Sequence, residues 1–164
     1  KLNNKAKVNR IMPNTPALIN EGISGLCKGT YANDEDLNLA QKIMQSVGKT
    51  VIVDENKIDI VTALSGSGPA FYYYIINEFA KSAYNLGLDY ETSLKLSAQT
   101  AIGAGKMILN GMQNNINIEK LIENVTTKGG CTEVGNNVLA TSNINNILNK
   151  TIIDTMEKAK NLAN

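Results

Sequence analysis

The chain has 164 residues, a hydrophobic fraction of 43% and a formal net charge of +1, so it can bury a core and is unlike a disordered tail. Its length allows one ordinary domain, or a small domain with part of another, and no run of basic residues indicates a nucleic-acid partner. The sequence contains no histidine, which excludes Ser-His-Asp and Cys-His catalysis and most zinc sites, so we expect no metal.

The first third of the chain predicts short strands around one helix. Three brief runs of apolar and β-branched residues, bounded by proline and glycine, predict strands at residues 8–12, 22–26 and 50–53. Asn33 or Asp34 can cap a helix that keeps apolar spacing up to a stop at Gly48. This order is typical of the end of an α/β sheet, and we expect the remaining strands upstream of Lys1.

From Ile58 onward the pattern predicts helices only. The first long helix begins at Gly68-Pro69, where proline suits the first turn, and ends before Gly87. Its tyrosine run, residues 72–74, favours core and subunit interface over a ligand site. Further helices are predicted at residues 90–110, 118–124, 133–140 and 143–162. The predicted fold class is therefore mainly α, with an α/β segment before a helical domain.

Two polar segments follow predicted strands. The segment from Arg10 to Pro16 closes the first strand and places two prolines around a polar pair, and ligands of α/β sheets bind where strands end. Pro13 and Pro16 also suit a rigid surface turn, so both interpretations stay open for this segment. Glu55, after the last strand, could reach a ligand at a domain junction, although exposed acids there are usually only solvated.

Two glycine-rich segments precede predicted helices. Residues 65–69 read Ser-Gly-Ser-Gly-Pro, which lets a backbone pass close to a ligand, but a tight loop without a ligand explains them equally well. Gly129-Gly130 can turn several N–H groups inward, and these with the helix dipole suit a carboxylate or phosphate, with the Thr132 hydroxyl at the rim. A plain helix cap also explains this second segment, and its spacing excludes a Walker-type phosphate loop.

The cysteine pattern and the hydropathy indicate a cellular location. Cys27 and Cys131 lie far apart, and neither has a second cysteine at metal-ligand spacing. We expect free thiols in a reducing compartment. No stretch is as long and apolar as a membrane span, and residues 1–20 lack the core of a signal peptide. The cytoplasm is the expected location, without a membrane partner.

Taken in chain order, these segments resemble pyrroline-5-carboxylate reductases, enzymes that reduce a cyclic imine to proline. The matching pieces are residues 12–17, 61–62 with 64–70, 87–88, 98–100 with 103–104 and 106–107, and 125–132. Each piece is weak alone, but five in the right order are a specific signal over essentially the whole chain. Two positions depart from the family pattern, because Lys128 stands where proline is usual and Asn136 stands where an aliphatic residue is usual.

The resemblance implies a two-domain enzyme. An N-terminal Rossmann domain would bind NADPH or NADH, and a helical domain would interlock with a second subunit in a homodimer or a larger assembly of dimers. Residues 1–54 would be the C-terminal remnant of the Rossmann domain, and residues 55–164 the helical dimerisation and substrate-binding domain. The glycine fingerprint of a first Rossmann strand is absent. We therefore expect most of the nucleotide-binding half to be missing and the fragment alone to be inactive.

The resemblance also implies a reaction and its residues. The reaction would be the NAD(P)H-dependent reduction of 1-pyrroline-5-carboxylate to L-proline, the last step of proline biosynthesis. Thr132 and Glu55 would be catalytic. The substrate would be bound by Thr127, Gly129, Gly130, Cys131, Thr132, Glu123 and Glu55. The cofactor would contact Met12, Pro13, Asn14 and Asn124.

Two other interpretations stay open. Without a nucleotide-binding half, the chain could be a non-catalytic helical dimerisation module. A related dehydrogenase with a Rossmann domain and a helical domain would rely on a lysine in the helical domain, for which Lys106 is the nearest candidate. The loop at residues 127–132 fits the pyrroline family better than this second alternative.

Overall fold

The computed structural model describes residues 5–163. Residues 1–4 and 164, which the predicted domains include, lie outside this part. Near the N-terminus, β1 (Asn9–Met12), β2 (Gly22–Lys28) and β3 (Gly48–Ile52) form one sheet in that order. β1 is antiparallel to β2, and β2 is parallel to β3. The three predicted strands are confirmed.

Helix α1 (Asp34–Gln45) connects β2 to β3. It begins at the predicted cap, where the Asn33 side chain accepts the Asp36 N–H and the Asp36 carboxylate accepts the Asn33 N–H. Gly48, predicted to stop this helix, instead begins β3 with a φ of +153°. A Cβ at that position would collide with the Gly22 carbonyl oxygen, so the strand start needs glycine.

The chain after the sheet is helical, which confirms the mainly α class. A 3₁₀ turn (Glu55–Lys57) leads into α2 (Ile58–Val61), and a π turn (Thr62–Gly66) that the pattern did not predict precedes α3 (Gly68–Asn85). The remaining helices are α4 (Tyr90–Gln113), α5 (Ile118–Val125), α6 (Cys131–Thr141) and α7 (Ile144–Ala163). Each was predicted, although α4 ends three residues later and α6 begins two residues earlier than expected.

The described residues fall into two compact units. The first comprises the chain up to Phe71 together with the stretch from Leu148 onward. It contains the sheet, and most of the buried apolar side chains belong to it: Leu26, Cys27, Ala32, Leu37, Ile58 and Ala63. The packing of α2 on the sheet is close at Gly25 of β2. A Cβ added there would lie 2.6 Å from the Val61 side chain, so a larger residue would push α2 away from the sheet.

The second unit is Tyr72–Ile147. The Tyr90 hydroxyl at the start of α4 donates to the Asn77 side chain of α3 at 2.7 Å, and its ring meets Tyr84 edge to face. Few side chains of this unit are buried, and residues 72–74 are exposed tyrosines. The expectation that these tyrosines form core is therefore wrong for a single chain, and their place in a subunit interface stays a prediction.

Candidate active site

The Met12-Pro13-Asn14 segment, which we call the Met12 loop, begins with the last residue of β1 and leaves the strand. Met12 and Asn14 are half-buried and Pro13 is exposed. The Asn14 side-chain oxygen accepts the Ile23 N–H of β2 at 3.0 Å, which anchors the loop to the sheet. The Met12 sulfur lies against Gly66, where a Cβ would be 3.4 Å from it. The loop is therefore held on two sides and leaves Pro13 accessible to a ligand.

Glu55 opens the 3₁₀ turn after β3 and joins a cluster of polar side chains. One carboxylate oxygen pairs with Arg10 Nη1 at 2.7 Å, and the other accepts the thiol of Cys27 at 2.8 Å. Arg10 Nη2 also lies 3.6 Å from the Asp59 carboxylate of α2. We call these four residues, Arg10, Cys27, Glu55 and Asp59, the Arg10 cluster.

The contacts within the Arg10 cluster set its charges. The thiol of Cys27 and the guanidinium of Arg10 both donate to Glu55 and lower the pKa of its carboxyl. Burial, and then the hydrogen bond to Glu55, raises the pKa of the Cys27 thiol to about 11. The hydrogen bond to Glu55 also raises the pKa of Arg10. Near neutral pH the cluster therefore holds an ionised Glu55 and a neutral thiol, an arrangement that suits Glu55 as a fixed charge.

Residues 127–132, which we call the Gly-Gly loop, lead into α6 and include its first two residues, Cys131 and Thr132. Gly129 has a φ of +74°, and Gly130 caps the helix without help from a side chain. The Gly129 N–H donates to the Glu133 carboxylate at 2.7 Å, and the Gly130 N–H donates to the Thr127 carbonyl at 2.8 Å.

Two of the four N–H groups predicted to bind an anion are thus already engaged within the loop. Those of Cys131 and Thr132 lie in the first turn of α6, where an N–H group has no acceptor in its own helix. Both residues are exposed. Their two N–H groups are therefore the part of the Gly-Gly loop that is available to a carboxylate.

Glu123 and Asn124 lie in the last turn of α5, and both are exposed. The Glu123 carboxylate pairs with Lys120 at 2.9 Å, one turn earlier in the same helix. The structure thus places these two predicted residues within a few positions of the Gly-Gly loop in the same compact unit. Glu55 and the Met12 loop belong to the other unit.

The structure also brings in residues that sequence reasoning did not select. Asn136, noted only as a departure from the family pattern, donates to the Thr126 hydroxyl at 3.0 Å and joins α6 to the end of α5. Glu133 was not considered, although an acid three residues after a helix cap often accepts a backbone N–H near that cap. Arg10 and Cys27 could have been found only from the strand register, because they are direct partners across β1 and β2.

The part of the chain that the structure describes contains neither a metal site nor a membrane helix. Over residues 5–163, no group of three Cys, Asp or Glu side chains is arranged to hold a metal ion. Within the same range, none of the helices has the length and apolar character needed to cross a membrane.

Comparison with known families gives a consistent match. The family model for pyrroline-5-carboxylate reductase dimerisation matches residues 55–162. Pyrroline-5-carboxylate reductase 2 of Bacillus subtilis is 36% identical over 155 residues, which cover 94% of this chain and 55% of the relative. Pyrroline-5-carboxylate reductase of Methanosarcina acetivorans is 38% identical over 156 residues, which cover 95% of this chain and 57% of the relative. The chain spans little more than half the length of these relatives.

Solved structures agree with the sequence relatives. A pyrroline-5-carboxylate reductase from Coxiella burnetii superposes with a TM-score of 0.91 at 34% identity, covering 97% of this chain and 58% of that one. The Plasmodium falciparum pyrroline carboxylate reductase, solved with NADP bound, gives a TM-score of 0.88 at 29% identity, covering 98% of this chain and 64% of that one.

These matches confirm the predicted fold class, a helical dimerisation domain preceded by the α/β end of a Rossmann domain. The chain therefore belongs to the pyrroline-5-carboxylate reductase family and corresponds to the C-terminal part of its relatives.

Proposed function

We propose that this chain is the C-terminal part of an enzyme that reduces 1-pyrroline-5-carboxylate to L-proline with NADPH or NADH. The observation that carries the proposal is the Gly-Gly loop, which offers two free N–H groups at a helix start in a member of this family. The substrate has one carboxylate and one carbon–nitrogen double bond. The site must therefore hold an anion and orient an imine.

The N–H groups of Cys131 and Thr132 would bind the substrate carboxylate. A carboxylate at a helix N-terminus gains about 1 kcal/mol from the helix dipole and more when partly buried. Gly129 and Gly130 would shape this seat without binding the anion, because their N–H groups donate to Glu133 and Thr127. Thr127 would thus act through its carbonyl oxygen, which fixes the turn.

The Thr132 hydroxyl would hydrogen-bond the imine nitrogen. A threonine is too weak an acid for proton transfer at neutral pH, so its contribution is orientation and electrostatics. Glu55 and Glu123 would lie near the substrate and favour its protonated, more electrophilic iminium form through their negative charge. The Arg10 and Cys27 contacts of Glu55 support this role, because they keep its carboxyl ionised.

The nicotinamide end of the cofactor would lie against Met12, Pro13, Asn14 and Asn124. The Met12 loop fits this role because Asn14 and Met12 fix its backbone while Pro13 stays exposed beside the end of β1. When bound, the cofactor supplies a hydride for the imine carbon, and the protein supplies placement. The nitrogen of the imine then keeps its proton as the amine of proline.

We also propose the domain division inferred from the sequence, with residues 1–54 in the nucleotide-binding domain and residues 55–164 in the dimerisation and substrate-binding domain. The match of the dimerisation family to residues 55–162 supports this division. The same match supports a homodimer or a larger assembly of dimers as the functional state. The cytoplasm would be the location.

A second candidate is a dimerisation module without catalysis. The observation that favours it is the large number of exposed apolar side chains on the helices, among them Tyr73, Phe79 and Val138. Such surfaces mark interfaces between subunits, whatever the chemistry of the assembly. The two candidates differ in whether a protein containing this chain turns over the substrate.

The test is an assay of NAD(P)H oxidation with 1-pyrroline-5-carboxylate. Two proteins are compared: the 164-residue chain, and the same chain extended by the part of the Methanosarcina acetivorans relative that precedes its matched region. We expect activity only in the extended protein, because the chain alone lacks the glycine fingerprint for a dinucleotide. A folded, dimeric but inactive extended protein would favour the module, and turnover of another carboxylate substrate would favour a related dehydrogenase.

A further inference from the structure

The Arg10 cluster lies between the sheet and α2, and the proposed reaction uses only its Glu55. We propose that Arg10 is a positioning residue, which fixes the end of β1 and thereby the Met12 loop that would contact the nicotinamide. This inference rests on the proposed function. It concerns a residue to which the sequence assigns no role and which lies outside the dimerisation family match to residues 55–162.

The register of the sheet places Arg10 and Cys27 side by side. They are direct partners across the antiparallel pair β1 and β2, so their side chains lie on the same face of the sheet. Glu55 contacts both, at 2.7 Å and 2.8 Å. One carboxylate thus joins two strands to the turn that follows the third.

Arg10 and Met12 also point to the same face, because they are two residues apart on one strand. Together with Asp59 and Thr62 they line one cavity of about 250 Å³. Met12 continues directly into Pro13 and Asn14, the loop proposed to contact the cofactor. We therefore expect a shift of the Arg10 side chain to move Met12, because the two residues share one strand and line the same cavity.

The positive charge of Arg10 balances the carboxylates of Glu55 and Asp59. The Asp59 Oδ1 atom is buried and has no hydrogen-bond partner among the described residues, and the Arg10 guanidinium lies 3.6 Å from it. Without Arg10, neither Glu55 nor Asp59 keeps an ion pair within residues 5–163. Solvent screens the Glu55 carboxylate, which is 58% exposed, but the Asp59 carboxylate is only 20% exposed. Loss of Arg10 therefore leaves Asp59 as a partly buried charge without a partner, and we expect the cluster to rearrange around it.

The test compares Arg10→Met with Lys7→Met in the extended protein described above. Lys7 is a matched control, because it pairs with Asp36 at 3.1 Å in the same unit but lies outside the cluster. The readouts are kcat, the KM for NADPH, and the kinetic isotope effect with NADPH deuterated at the transferred position of C4. We expect Arg10→Met to lower kcat on the order of 10-fold to 100-fold and to raise the isotope effect, because a misplaced nicotinamide makes hydride transfer more rate-limiting.

A merely structural role would lower the melting temperature and the yield but leave the isotope effect of the folded enzyme unchanged. A folded Arg10→Met protein with the kcat and isotope effect of Lys7→Met would overturn the proposal. If Arg10→Met does not fold, Arg10→Lys tests the proposal instead. Lysine keeps the positive charge but lacks the planar guanidinium whose two nitrogens pair with Glu55 and Asp59. Arg10→Lys should show a smaller fall in kcat with a raised isotope effect, and unchanged values would overturn the proposal. An inactive unsubstituted protein would instead refute the proposed function.

Discussion

Thr132 is the residue on which the proposed chemistry depends most directly. It is exposed in the first turn of α6, where its own N–H and that of Cys131 have no acceptor within the helix. Thr132→Ala should lower kcat on the order of 100-fold, with a smaller change in KM, because a hydrogen bond to the reacting nitrogen acts mainly in the transition state. Thr132→Ser keeps the hydroxyl and should retain most activity. Equal kcat values for Thr132→Ala and the unsubstituted enzyme would refute the role.

The two thiols differ in accessibility. Cys27 is 1% exposed, whereas Cys131 is exposed at the start of α6. Under native conditions iodoacetamide should therefore modify one thiol quickly, and Cys131→Ser should abolish that fast phase. Modification of Cys27 should require unfolding. Fast modification of two thiols in the folded chain would contradict the structure.

The Cys27 thiol also predicts a pH dependence of stability. Its pKa is raised from 9.0 to about 11 in the folded chain. A group with a raised folded pKa contributes stability that is complete below its unfolded pKa and is lost as the pH rises through the folded pKa. Urea unfolding should therefore show a loss of stability between pH 9 and 11 that is weaker in Cys27→Ser. An identical pH profile for the two proteins would contradict this assignment.

At the residue scale, the sequence could indicate types of residue but not their partners. Gly129-Gly130 predicted a site for an anion before a helix; the structure places both glycines before α6, and the binding of an anion there stays a prediction. The spacing from the helix cap to Glu133 could suggest a bond to a backbone N–H, but the choice of Gly129 depends on a rotamer and a left-handed φ. The contact of Glu55 with Arg10 joins residues 45 positions apart, and only the fold brings them together.

Among the elements, α6 contacts the end of α5 through one side chain and the Gly-Gly loop through another. Asn136 bonds the Thr126 hydroxyl, and Glu133 bonds the Gly129 N–H. Lys128 lacks the fixed φ of a proline, so the bond from the Gly129 N–H to Glu133 supplies a restraint on the loop that its residue type does not.

Glu133→Ala should therefore raise the KM for the substrate on the order of tenfold with little change in kcat, because the N–H groups of the seat lose their orientation. Glu119→Ala is the matched control, since Glu119 is also an acid in the first turn of a helix. Both changes remove the same favourable charge near a helix N-terminus. Equal KM values for the two variants would show that the Gly129 bond has no role in binding.

Element positions were largely predictable, and the errors have local causes. Apolar spacing located α1 and α3 to α7, because each has a clear apolar pattern or cap. The π turn at Thr62–Gly66 was missed, since its i to i+5 bond, from the Ser67 N–H to the Thr62 carbonyl, has no sequence signature. Gly48 was read as a helix stop, although the close approach of Gly22 is what requires it.

For the whole molecule, the helices expose more apolar surface than an isolated chain usually does. Tyr72, Tyr73 and Tyr74 are each more than 60% exposed. We expect the chain to self-associate, with a mass in light scattering of twice the 17.7 kDa of one chain or more. Tyr73→Asp should weaken this association, whereas Tyr31→Asp, at an exposed tyrosine of the other unit, should not. A concentration-independent monomer would contradict the proposed dimer.

The class of the whole molecule was predictable because its motifs occur in the family order. The arrangement of chains was not, since exposed apolar residues in a helical pattern look like core residues until a fold is known. The tyrosines of α3 show this, because their pattern predicted burial that a single chain does not provide.

The central claim is that a protein built on this chain transfers hydride to the imine carbon of 1-pyrroline-5-carboxylate. The most direct measurement supplies the extended protein with NADPH deuterated at the transferred position of C4 and locates the label in the product by mass spectrometry and NMR. The account predicts L-proline with one deuterium on the ring carbon next to nitrogen that does not bear the carboxylate. Oxidation of NADPH without labelled proline, or a label at any other carbon, would contradict it.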